Sequence, residues 1–346
     1  MAEIRQRYSW IDIARGAAIA LIAVGHYIPK QVLGAAFFRL ILYTLYAFHV
    51  PMFFILSGYT ADFQASPADF VKRRLKSLIA PWFLFTLVGA ALRLLWGGLT
   101  AAHLPHYFLY GNLANPSAWF LPILFISQCL WFFIVRLCSR AKVQKKLFFY
   151  LSFAVCLYVS GYFTYRAQPF LPFGLQRAVY GAFFVAVGSI AAFLFPAEAS
   201  LRTLSLGRVK LLLSGALLLA AVTLIASAYD SYFDLAQMHF PNYWLFALTG
   251  TLGSVGVALI SMGIGQCRLL ESYGQNSLFI CLTHEYLIGL FNNSGPLYRH
   301  LFPSSDVSYF FLIAAGGLWF IAFMLFYYPL CKWKNTLLKK IGWQGR

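Results

Sequence analysis

Charge is what this sequence has least of. Only 11% of its 346 residues are Asp, Glu, Lys or Arg, while 61% are hydrophobic and the mean hydropathy is +0.70. That balance lies outside the range of soluble globular domains. Acidic residues are scarcest, 10 against 27 Lys and Arg, which leaves a formal net charge of +17. A nucleic-acid binder with that charge gathers its bases on one face or in one tail. Here they are scattered in short clusters between apolar runs, so no nucleic-acid partner is expected. The six cysteines, Cys129, Cys138, Cys156, Cys267, Cys281 and Cys331, stand singly without paired spacing. They read as packing residues rather than a disulfide framework or a metal centre. The sequence contains no nucleotide-binding glycine loop, metal-ligand spacing or convincing internal repeat, and no metal is expected.

Apolar length is abundant. A hydrocarbon core roughly 30 Å thick takes about 20 apolar residues of helix. Runs of that kind fall near 11–29, 37–59, 78–97, 117–135, 147–165, 171–195, 211–229, 243–264, 274–292 and 308–331. The reading is an all-α polytopic integral membrane protein of about ten transmembrane helices. A single membrane-embedded domain is expected over 1–346, with a short basic tail at 332–346 and no appended soluble domain. The first run follows Arg5 and Arg7 as a secretory signal would, but it carries Asp12 and Arg15 and lacks a small-residue cleavage site. It is read as retained.

Basic residues test this layout, because short cytoplasmic loops retain positive charge. With the N-terminus cytoplasmic, the inner segments hold Arg5 and Arg7, Lys72 to Lys76, Arg136 to Lys146, Arg202 to Lys210, Arg268, and Lys332 to Arg346. Lys30, Arg39, Arg166 and Arg299 fall outside. Both termini are therefore expected in the cytoplasm.

Ionisable groups inside hydrocarbon cost about 2.5–3.5 kcal/mol each on insertion scales, so each needs a partner or a role. At about 100° per residue, Arg15 and His26 differ by only about 20° around their helix, and Asp12 falls within the same 60° arc. One face of the first span is thus polar along its length. The alternative is an Asp12–Arg15 ion pair snorkelling to the headgroups, with His26 in external water. The second span, FHVPMFFILSGY, sets His49 two residues before Pro51, which frees a carbonyl one turn back and bends the helix. The ninth, from GQNSLFICLTHEYL, carries His284 and Glu285 at depth. Each histidine alone could be a core residue; three on different spans with a carboxylate point to a site. Lys72, Arg73, Arg74 and Lys76 precede the third span. They serve topology by themselves, and beside a polar cavity they would also attract an anionic cosubstrate.

The segments WIDIARGAAIALIAVGHY, FHVPMFFILSGY, KRRLKSLIAPW, AWFLPILF and GQNSLFICLTHEY, in that order, resemble acyltransferase family 3. Its members are polytopic proteins that acylate cell-surface carbohydrates in bacteria. The resemblance implies that Arg15 and His26 are the functional pair, and that Arg73 with Lys76 is the inner basic pair that takes acyl-CoA. Many relatives have arginine where Lys76 stands, and lysine loses the bidentate fork, so Arg74 is a candidate substitute. The family often adds an external esterase-like domain, and none is expected here. Transfer is then completed in the membrane domain or by a separate glycan-assembly partner.

The expectation is a bacterial inner-membrane, multi-pass O-acetyltransferase or related acyltransferase using acetyl-CoA or another acyl-CoA, with membrane lipid around it and a carbohydrate acceptor. His26 would be general base or transient acyl carrier, with Arg15 and Asp12 shaping the path. Arg73, Arg74 and Lys76 would hold the donor's phosphates. His49, Trp119, Arg177, His284 and Glu285 are candidate substrate contacts, Trp119 being equally suited to an interfacial anchor. A transporter or flippase for a lipid-linked sugar would also need polar residues along a pathway, but it would use no thioester. A polysaccharide polymerase would need larger external loops than 98–116 and 293–307.

Overall fold

The computed structural model describes residues 8–27, 36–95, 102, 116–167, 171, 174–196, 207–229, 231–291 and 309–340. Arg5, Arg7, Lys30, Arg202, Arg299, Arg346 and almost all of the loops 98–116 and 293–307 lie outside them. Among the described residues the structure is helical, with one isolated bridge between Asp234 and His239.

The helices are α1 Ser9–Tyr27, α2 Ala36–Thr60, α3 Pro67–Arg74, α4 Ala80–Leu95, α5 Phe120–Leu137 and α6 Val143–Ala167. There follow α7 Leu175–Leu194, α8 Arg208–Ser227, α9 Tyr243–Ile264, α10 Arg268–Gln275, α11 Ser277–Phe291 and α12 Tyr309–Lys340. Every expected span is met by a helix. Seven segments among the described residues are long and apolar enough to cross a membrane: α2, the run Pro67–Leu92, and α5 to α9. In α1 the polar groups Asp12, Arg15 and His26 dilute the apolar run, and α11 has only 15 residues.

Three boundaries depart from the sequence reading. The helical run that carries the third span begins at Pro67, ahead of the apolar stretch expected near residue 78, because Ser66 caps it by accepting from the Asp69 amide at 3.2 Å and Pro67 sets the first turn. The basic cluster therefore rides on helix, and a π-helical turn at Leu75–Ile79 joins α3 to α4. The ninth span is broken at Asn276, whose side chain donates to the Ser272 carbonyl at 2.7 Å and ends α10. The basic tail is helical as far as Lys340, as part of α12.

The chain packs as two compact units. One comprises residues 1–49, 204–229 and 255–346, the other 50–203 and 230–254. In the first, α1 and α10 approach backbone to backbone: a Cβ on Gly16 would collide with the Leu270 carbonyl, and one on Gly274 with that of Asp12. Small residues permit such approaches between membrane helices. Tyr327 of α12 donates to Thr283 of α11, whose own hydroxyl hydrogen goes to the Phe279 carbonyl. In the second unit, Gly58 and Gly188 do for α2 and α7 what Gly16 and Gly274 do for α1 and α10. An aromatic cluster of Tyr158, Tyr180, Phe240 and Tyr243 ties α6, α7 and α9, with the Tyr243 hydroxyl donating to the Tyr158 carbonyl at 2.6 Å.

Candidate active site

The tight seat of α10 on α1 fixes where α11 starts, and α11 brings His284 and Glu285 against His26. His26 Nδ1 lies 2.9 Å from Glu285 Oε1 and 3.0 Å from His284 Nε2. The two rings are stacked with centroids 5.2 Å apart and an interplanar angle of 23°. His284 is fully buried, while His26 and Glu285 keep a quarter or less of their side chains exposed.

These partners assign the ring protons. A carbonyl can only accept, so His284 Nδ1, 3.0 Å from the Ile280 oxygen, carries hydrogen and its Nε2 carries the lone pair. His26 Nδ1 faces that lone pair and a carboxylate oxygen, both acceptors. It must be the protonated nitrogen, and in the neutral ring Nε2 is then the basic one. A carboxylate behind one imidazole nitrogen holds the tautomer in which the other can take a proton. Sequence reasoning named all three residues but assigned His284 and Glu285 to substrate; the structure brings them to His26 itself.

The other candidates in this unit lie elsewhere, on α1 and α2. Asp12 is buried and accepts from Gln275 Nε2 at 3.3 Å. Arg15 is half-buried on α1, three turns from His26. His49 is buried on α2; its Nδ1 donates to the Leu45 carbonyl at 2.7 Å and its ring meets Tyr46 edge-on. A Cβ on Gly25, the residue before His26, would come into contact with the Leu45 and Tyr46 side chains.

In the second unit, Trp119 ends a 3₁₀ turn before α5, and the Arg177 guanidinium lies over its indole at 5.4 Å. Gly174, at φ 67°, sits in the left-handed region that glycine tolerates, and its Cα hydrogens face the folded-back Arg177. The buried atoms Arg177 Nε and Gln176 Oε1 have no hydrogen-bond partner among the described residues. Gln176 escaped the sequence reading, its only signal being its place next to Arg177.

The basic cluster is also in the second unit. Lys72, Arg73 and Lys76 are exposed, and Arg74 stands over the Phe70 ring at 5.3 Å. Arg73 reaches Asp62 at 3.8 Å with 58% of its side chain exposed, a contact too wet to hold it strongly.

The class of protein so defined is an all-helical, multi-pass membrane protein with a carboxylate-oriented histidine on its first helix. A family model described as "Acyltransferase domain" (Acyl_transf_3) matches residues 8–328. The chain belongs to acyltransferase family 3 and is a membrane acyltransferase. No curated protein and no solved structure shows significant similarity to it.

Proposed function

We propose that this acyltransferase moves an acetyl or other acyl group from acyl-CoA to a hydroxyl of a cell-surface or lipid-linked carbohydrate in a bacterial inner membrane. It crosses that membrane ten times, with both termini in the cytoplasm. The observation that carries the catalytic reading is the 2.9 Å contact between His26 Nδ1 and Glu285 Oε1, which leaves Nε2 as base.

Nε2 takes the proton of the acceptor hydroxyl as its oxygen attacks the thioester carbonyl. The tetrahedral intermediate collapses by breaking the C–S bond, and the imidazolium returns its proton to the departing thiolate. The products are the ester and free CoA, and the enzyme is restored. In the alternative sequence Nε2 attacks first and carries the acyl group, with the same net reaction. Glu285 and His284 position His26, and Asp12 and Arg15 line the same helix. Arg73, Arg74 and Lys76 bind the donor's phosphates, a role that suits neighbouring cations on one helical run. Arg177, Gln176 and Trp119 bind the sugar, whose hydroxyls would satisfy the unpaired Arg177 Nε and Gln176 Oε1.

The test is purified protein in lipid with labelled acetyl-CoA and extracted glycolipid. Label in the glycan with wild type and none with His26→Ala supports the reading. Glycan movement across the bilayer without label would return the chain to the carriers.

A further inference from the structure

The group that orients His26 is also compact enough to hold an ion. The ligand-type atoms of His26, His284 and Glu285 all lie within 4.8 Å of one another. The three separations, 3.0, 2.9 and 3.9 Å, define a triangle whose circumcentre is about 2.0 Å from each atom. That radius is within the Zn–N and Zn–O bond range of roughly 2.0–2.2 Å, with His284 Nε2 and Glu285 Oε1 nearly opposite each other. Tetrahedral coordination requires those two atoms to draw together by about 0.5 Å. Two imidazoles and one carboxylate are a donor set zinc accepts with a fourth position open, and imidazole favours it over magnesium or calcium. His284 is already arranged as metal-bound histidines are, with its remote Nδ1–H held by the Ile280 carbonyl at 3.0 Å.

We propose that this triad is an inhibitory Zn²⁺ site. The inference rests on the assignment of His26 as base and adds a ligand that switches it off. Zinc would bond to His26 Nδ1, His284 Nε2 and Glu285 Oε1. The Nδ1 hydrogen must leave, and a neutral imidazole keeps its one N–H by carrying it on Nε2. The lone pair that takes the acceptor's proton is then gone, and Glu285 is committed to the metal. No redox change is involved, and a chelator restores the starting tautomer.

The experiment uses the full chain, purified in lipid nanodiscs and freed of metal with EDTA that is then removed. Co²⁺ alone, as spectroscopic probe, should produce visible d–d bands, and Zn²⁺ should bleach them. Glu285→Gln, which keeps shape and loses charge, and His284→Ala should each weaken Zn²⁺ binding by at least about 100-fold, since even losing an outer-shell partner of a ligand costs 10–100-fold. His239→Ala, remote in sequence on the loop before α9, should bind as wild type does. In parallel, micromolar Zn²⁺ should suppress transfer and EDTA should restore it. Binding that survives both triad substitutions, absence of Co²⁺ bands, or transfer that EDTA abolishes would overturn the proposal. Because the Co²⁺ measurement needs no substrate, its failure is separable from that of the acyl-transfer reading. Retained transfer in His26→Ala sinks the reading, and wild-type transfer that ignores Zn²⁺ sinks only the metal site.

Discussion

Gly274 lies against the backbone of Asp12 so closely that no side chain fits between α10 and α1. Since α11 starts two residues after α10 ends, this contact sets the reach of His284 and Glu285 towards His26. Gly274→Val should push α10 outward, lower stability by about 1–3 kcal/mol as overpacking does, and cut transfer more than stability. A thermal melt beside an activity assay checks this. Full activity in a destabilised variant would show that the contact only supports the fold.

His26→Ala should lower transfer by about 10²-fold to 10⁴-fold, the range for losing general acid–base help. Insertion and yield should barely change, as read by membrane fractionation. His49→Ala should be milder, because the Nδ1 of His49 is spent on its own helix at the Leu45 carbonyl.

In the proposed mechanism Glu285 acts on the reaction through His26. Glu285→Gln should lower kcat by about 10-fold or more with little change in either KM, and it should add almost nothing to the loss already caused by His26→Ala. A double-mutant cycle on single-turnover rates measures this. Additive losses would mean that Glu285 serves the substrate directly.

Replacing Arg73, Arg74 and Lys76 together by glutamine should raise KM for acyl-CoA and flatten its dependence on ionic strength, with kcat at saturating donor largely kept. Unchanged donor affinity in the purified variant would count against the phosphate assignment.

A reporter fused after Arg346 should read as cytoplasmic. An external reading would remove the proposed topology and, with it, the side of the membrane from which the donor is taken.

The helices themselves were legible, because apolar runs of membrane length leave little choice of structure. The polar stripe of α1 was legible from the eleven-residue step between Arg15 and His26, which helical geometry puts on one face. The grouping of His26 with His284 and Glu285 was not, since it joins positions 258 residues apart and depends on which helix faces meet. The glycines that decide this, Gly16 and Gly274, are two among 26 in the sequence, and nothing in their neighbours marks them out. Nor does hydropathy register the break at Asn276, because one polar residue scarcely moves a window average. The cap at Ser66 and Pro67, by contrast, is written in the local sequence, but a search for apolar runs passes over it.

The π-helical turn at Leu75–Ile79 has an effect on the charges that precede it. Such a turn accommodates one residue more than an α-helix, an angular offset of about 100°. It acts as a phase shift in the middle of the helical run from Pro67 to Leu95, so the azimuth of Lys72, Arg73 and Arg74 is set independently of the apolar side that α4 presents. Natural variation by a single residue in this turn would therefore re-aim the cations without altering their number, their spacing or the membrane-facing surface of α4.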